Sequence, residues 1–116
     1  MPYINITTNK EITQAKMTAI KAKLGEAITL IPGKVEAGLI VGFVNSGLMF
    51  HAGEQCDAAF VTVDIFSFTT NEAWDALIAA ITKILGDELG IESRHIYIKV
   101  SGNKIWGSNG QLKIDQ

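Results

Sequence analysis

Two four-residue stretches decide the fold: Tyr3-Ile4-Asn5-Ile6 and Phe60-Val61-Thr62-Val63 fall on one another when the chain is slid along itself by 57 residues. The same shift places Met17 on Trp74, Ile20 on Leu77, Leu24 on Ile81, Ile28 on Leu85 and Gly33 on Gly90. Further on, Ile40 falls on Tyr97 and Phe43 on Val100. One offset that aligns two strands, a helix face and a glycine stop marks an internal duplication, with halves of about residues 2–57 and 58–116.

Each half reads as strand, helix, strand. Tyr3 to Thr8 alternates with the two-residue period of a strand, and Met17, Ile20, Leu24, Ala27, Ile28 and Ile31 recur at helical spacing. Pro32 disfavours helical geometry at Ile31, and Gly33 can take the left-handed stop. Gly38 to Val44 is the second strand. In the other half, Ala58 to Phe66 is a strand, Thr69-x-x-Glu72 has the form of a capping box, and Trp74, Leu77, Ile78, Ile81, Ile84, Leu85 and Leu89 form a helix stripe ended by Gly90. Arg94 to Ser101 closes the repeat. Strands joined through a crossover helix run parallel, with right-handed connections. The expected fold is therefore α+β, a two-layer sandwich of duplicated β-α-β units, with a four-stranded mixed sheet and two helices on one face.

A chain of 116 residues fits one domain, residues 1–116. With 47% hydrophobic and 19% charged residues it is expected to be ordered. A net charge of −2 lacks the basic stripe that nucleic acid demands. The single Cys56 excludes a disulfide framework and a cysteine-based zinc cluster. The longest apolar run, Ala76 to Ile81, is too short to span a bilayer, and no charged n-region with an apolar h-region opens the chain. A cytoplasmic protein with no membrane partner is expected; leaving the cell would require unconventional export. Leu39-Ile40-Val41, Phe43-Val44 and Ala58-Ala59-Phe60-Val61 are apolar on both strand faces, yet two helices cover only one face. A second copy of the chain is expected to cover the other.

The usual catalytic sets are thin. His51 and His95 have no Ser or Cys in a nucleophile-elbow context, and no HExxH, GxxxxGK[ST] or GxGxxG sequence occurs. Cys56 reads as a buried or idle thiol. Glu54 with Asp57 and Asp87 with Glu88 read as solvated charges. Nothing indicates a metal or organic cofactor. Pro2 stands apart: removal of Met1 leaves a secondary amine placed rigidly at the start of a core strand.

At this point the chain resembles the tautomerase superfamily, and most closely the macrophage migration inhibitory factor family. The resemblance rests on Met1-Pro2-Tyr3-Ile4, Pro32-Gly33-Lys34, Leu48-Met49-Phe50 with Gly53, Ala58-Ala59-Phe60-Val61, His95-Ile96-Tyr97-Ile98 and Trp106-Gly107-Ser108-Asn109. It implies a homotrimer that tautomerises phenylpyruvate-like 2-keto acids without a cofactor. Pro2 would then be the general acid/base, kept neutral by burial and nearby positive charge, with Lys34 anchoring the substrate carboxylate. The backbone N–H of Phe66 would bind substrate, Tyr97 would come from the neighbouring subunit, and Trp106 would form an aromatic wall.

The sequence also departs from the family. Cys56 stands alone where the family has Cys-x-x-Cys, so thiol–disulfide exchange is not expected. Lys99 replaces an amide and adds a second cation to the pocket. Gly38 replaces a bulky aromatic and opens the rim, and Gly102 to Ile105 is shortened. The alternative reading is a cytokine-like binding protein of the same fold with vestigial tautomerase activity.

Overall fold

The computed structural model describes residues 1–116. Strand β1 (Pro2–Thr8) leads into helix α1 (Gln14–Ala27) and then strand β2 (Ile40–Asn45). Two short strands, β3 (Phe50–His51) and β4 (Glu54–Gln55), precede β5 (Ala59–Phe66), helix α2 (Asn71–Leu89) and β6 (Ile96–Asn103). A last hairpin pairs β7 (Ile105–Ser108) with β8 (Gln111–Ile114).

The main sheet has the order β2-β1-β5-β6. β1 pairs parallel with β2 and β5 parallel with β6, as two crossover units require, while β1 and β5 run antiparallel. The two halves thus meet head to tail, and the mixed sheet expected from the repeat is formed. Along β1 and β5 burial alternates residue by residue. Ile4, Ile6, Val61, Val63 and Ile65 point beneath the helices and join Ile20, Leu24, Ile28, Leu77, Ile81 and Leu85 in one core.

Both helices begin where a threonine caps them. The Thr13 hydroxyl accepts from the Lys16 N–H at 3.2 Å, and the Thr70 hydroxyl from the Ala73 N–H at 3.1 Å. The second cap lies one residue later than expected. With Thr70 as cap the third helical position is Ala73, so Thr69 and Glu72 form no box; Glu72 instead sits in the first turn, where the helix dipole favours its charge. α1 becomes a 3-10 turn over Ile28–Leu30, then Ile31 is extended before Pro32. α2 stops at Gly90, whose φ of 68° closes the last turn onto the Gly86 carbonyl. Short 3-10 turns at Glu36–Gly38 and Ser93–His95 delay β2 and β6 by two residues relative to the expected starts.

The other sheet face is less uniformly apolar than its strand sequences suggest. Ile40, Val44, Phe60 and Tyr97 do lie exposed there. Between them the face carries Asn5, Thr7, Thr62, Asp64, Lys99 and Ser101, with the Ser101 hydroxyl donating to Asp64 at 2.8 Å. The apolar runs arise because their inward members, Val41, Phe43, Val61 and Ile98, pack on the core while outward apolar residues gather near the strand ends and the β2 edge. The open face is therefore apolar in patches around a polar middle.

Candidate active site

Pro2 is the first residue of β1, paired with Ile65 of β5 and buried. One residue further, the Phe66 N–H donates to the Met1 carbonyl at 3.1 Å. On the other side of that residue, the Phe66 carbonyl accepts from Lys34 Nζ at 2.7 Å. Lys34 is carried there by the turn after α1: Gly33 takes a φ of +84°, and the Lys34 N–H donates to the Ile31 carbonyl at 3.1 Å. The start of β1, the end of β5 and this turn thus converge on one point.

The electrostatics at that point are informative. The Met1 amine is pushed below the ordinary α-amine range, first by burial and then by the positive charge of Lys34. Gly38 also lies here: a Cβ on it would sit 3.6 Å from the Met1 nitrogen and 3.7 Å from Pro2 Cδ. The absence of a side chain at residue 38 thus leaves this side of the proline ring uncovered.

The other sequence-derived candidates lie elsewhere in the chain. Tyr97 pairs with Phe60 and Pro2 with Ile65, a separation of about 17 Å along the sheet at the usual strand rise. Lys99 pairs with Thr62, on the open face, whereas Pro2 shares the helix-facing side with Ile4 and Ile6. Trp106 lies half-buried on β7, outside the group formed by Pro2, Lys34 and Phe66. That hairpin is held beside the end of β5, since the Asp115 N–H donates to the Lys104 carbonyl at 2.8 Å and the Ser67 hydroxyl to Asp115 at 3.0 Å. None of the five cavities of the single chain is lined by Pro2, Lys34 or Phe66.

At the opposite end of the sheet lies a cluster that reading the residues in order did not assemble. His51 Nδ1 is 2.7 Å from His95 Nδ1, and His51 Nε2 is 3.2 Å from the Tyr97 hydroxyl. The tight turn of the β3–β4 hairpin, Ala52-Gly53 with both φ positive, swings His51 against β6. A cleft of about 170 Å³ opens beside it, lined chiefly by Met49, Phe50, Phe60 and Tyr97. No group of three or more His, Cys, Asp or Glu side chains converges to hold a metal ion.

No family model matches the sequence, and no curated protein matches it. Solved structures do match. Leishmania major MIF2 superposes with a TM-score of 0.90 at 21% identity, over 97% of each chain. The fold is that of the MIF and tautomerase proteins. A fused 4-OT, described as a symmetric trimer, shares this tautomerase fold with a TM-score of 0.76 at 24% identity, over 87% of this chain and 85% of that one. Pt0534, solved after inactivation by 2-oxo-3-pentynoate, matches with a TM-score of 0.82 at 20% identity over 93% of each chain. At these identities it is the tautomerase fold that is established, by a likeness in backbone course that the sequences scarcely retain. No helix of the chain is long and apolar enough to cross a membrane.

Proposed function

We propose that this chain is a cofactor-free keto–enol tautomerase of phenylpyruvate-like 2-keto acids, acting in the cytoplasm as a homotrimer, with the Pro2 amine as general acid/base once Met1 is removed. One observation carries the reading: Pro2, Lys34 and the Phe66 backbone converge at a place where burial and a lysine charge depress an amine. Tautomerisation needs a base that is neutral near pH 7, takes the proton from the carbon beside the ketone and returns it to the oxygen. An ordinary amine is mostly protonated there. The surroundings that lower the Met1 amine would act on a Pro2 amine in the same way.

Loss of Met1 has a second consequence. The Phe66 N–H now donates to the Met1 carbonyl, and without that carbonyl it is free to receive a substrate oxygen. Lys34, within reach of the same peptide, supplies the positive charge for the substrate carboxylate. Tyr97 and Lys99, on one face of β6, would reach this point from a neighbouring copy, and Trp106 would wall the pocket. A trimer suits this division, since no cavity encloses Pro2 in one chain and a fused 4-OT of this fold is a symmetric trimer. Inactivation of Pt0534 by 2-oxo-3-pentynoate supports a 2-keto acid as the substrate class.

The alternative, a cytokine-like binding protein with vestigial activity, is favoured by the MIF names of several neighbours. Intact mass spectrometry and a phenylpyruvate enolisation assay separate the two. Chains beginning at Pro2 are expected to turn over, and Pro2→Ala and Lys34→Ala to lose most of the rate. Full rates in both variants would overturn the proposal.

A further inference from the structure

The polar groups at the Tyr97 end of the sheet form a connected chain. His95 Nε2 lies 4.0 Å from a Glu92 carboxylate oxygen, His95 Nδ1 meets His51 Nδ1, and His51 Nε2 meets the Tyr97 hydroxyl. Arg94 bonds Glu92 at 2.7 Å and holds its carboxyl below the usual carboxylate range, so Glu92 is an anion near neutral pH. This anion assigns the tautomers of the neutral pair. It favours a proton on His95 Nε2, which leaves His95 Nδ1 as an acceptor. His51 must then carry its proton on Nδ1 and donate it to His95. Its own Nε2 is left as an acceptor, and Tyr97 donates to it. The reverse arrangement would turn a bare His95 lone pair towards the carboxylate.

We propose that His51 and His95 are positioning residues that set the direction of the Tyr97 hydroxyl, so that Tyr97 offers its proton to substrate only after the pair has taken up one proton. This rests on the reading above in which Tyr97 meets the keto acid in a neighbouring copy's pocket. A keto acid presents only acceptor oxygens from its carbonyl and carboxylate. A Tyr97 that donates to His51 has no proton left for them. When the pair gains a proton, His51 Nε2 becomes a donor, Tyr97 accepts from it, and the phenolic proton turns outward. The His–His bond survives this step, because one Nδ1 remains unprotonated. A second proton would place two donors face to face and part the β3–β4 hairpin from β6.

The groups around the pair come from each neighbouring element. Glu54 on β4, Cys56 and Asp57 beyond it, and Glu92 and Arg94 before β6 line the same cleft as the two imidazoles. Lys10 offsets Asp57 at 3.3 Å and Arg94 offsets Glu92, which leaves Glu54 without a cationic partner. The cleft thus tolerates a single positive charge on the pair.

The test uses the whole chain beginning at Pro2, with phenylpyruvate as substrate and 15N-labelled histidine. In the neutral state the spectrum is expected to show His51 protonated at Nδ1 and His95 at Nε2. As the pH falls through the pair's first protonation, KM is expected to fall by about 2–10-fold, the worth of one hydrogen bond, while protonation of the Pro2 base lowers kcat alike in wild type and His51 variant. His51→Asn keeps a hydrogen-bonding side chain that does not titrate, and should remove this dependence of KM. His51 protonated at Nε2 in the neutral pair overturns the proposal. So does a wild-type KM that ignores pH, or a His51→Asn variant that keeps the wild-type profile. Should phenylpyruvate not turn over at all, the proposed function fails, while the two tautomers still decide whether the relay exists.

Discussion

The two ends of the four-stranded sheet carry different chemistry. Where β1 begins and β5 ends, Pro2, Lys34 and Phe66 converge, and their surroundings disfavour a second positive charge. Where β5 begins, His51, His95 and Tyr97 are joined by hydrogen bonds whose direction depends on protons. One end lowers an amine's affinity for a proton, and the other joins two imidazoles and a phenol whose donor and acceptor roles follow the tautomer. β5 runs between them as a rigid spacer, so no motion of a single chain unites the two. Under the proposed function, a second copy brings the two ends together. A heterologous ring of copies achieves this without a special linker.

The largest expected effect comes from removing the first end. Pro2→Ala, or retention of Met1, should lower kcat/KM for phenylpyruvate by about 10²–10⁴-fold, the usual contribution of a positioned acid or base. An equal loss in the Met1-retaining form and in Pro2→Ala would sharpen the contrast between the ends. Lys34→Ala should cost about 10–100-fold, because a charge-assisted hydrogen bond is worth about 1.5–3 kcal/mol. Its KM for keto acids should rise more than its KM for esters that lack the carboxylate charge.

Gly102→Ala probes the frame at the Pro2 end, where Gly102 pairs with Ile65. A Cβ there would lie 2.7 Å from the Ser67 carbonyl oxygen and 3.3 Å from Phe68 Cα, in backbone that cannot easily give. The expected destabilisation is about 1–3 kcal/mol, read as a lower midpoint in urea, with activity at the Pro2 end falling in parallel. A variant as stable as the wild type would show that the end of β5 is looser than its pairing with Asn103 implies.

The smallest effect lies away from the sheet ends. Glu88 on α2 bonds Lys23 at 2.8 Å and Lys16 at 3.1 Å on α1, and these partners lower its carboxyl below the ordinary value. A depressed carboxyl stabilises the fold above its unfolded pKa, and that support disappears as acid protonates it through its folded pKa. Glu88→Gln should therefore lower Tm slightly at pH 7, with the difference vanishing in strong acid. A constant difference at every pH would remove the ion pairs from the explanation. Neither sheet end should change its chemistry in this variant.

The fold was legible because the duplicated pattern is carried by core residues, and burial demands such patterns wherever the sheet meets the helices. Pro32 and Gly33 announced the end of α1 by backbone chemistry alone. Thr69 misplaced a cap because two adjacent threonines compete, and only the extended geometry at Thr70 decides between them. The hairpin of β7 and β8 did carry a signal in Asn109-Gly110, whose φ values of 52° and 73° build its turn. The apolar runs overstate the second face: stretches such as Phe43-Val44 mix inward and outward members whose different fates depend on register. Pro2 stands apart as an amine at the head of a core strand and Lys34 through the resemblance, and the turn after α1 brings Lys34 to the Phe66 carbonyl. The pairing of His51 with His95 was not legible, because the residues lie 44 apart and meet only through a two-residue turn at Ala52-Gly53.

The most direct measurement is an NMR titration of the Pro2 nitrogen in chains that begin at Pro2 and carry 15N-labelled proline. An amine that gives up its proton below the ordinary range for a chain terminus, and moves back up in Lys34→Ala, is the expected result. An amine that titrates as it would in a short peptide, indifferent to Lys34, contradicts the assignment of Pro2 as the base.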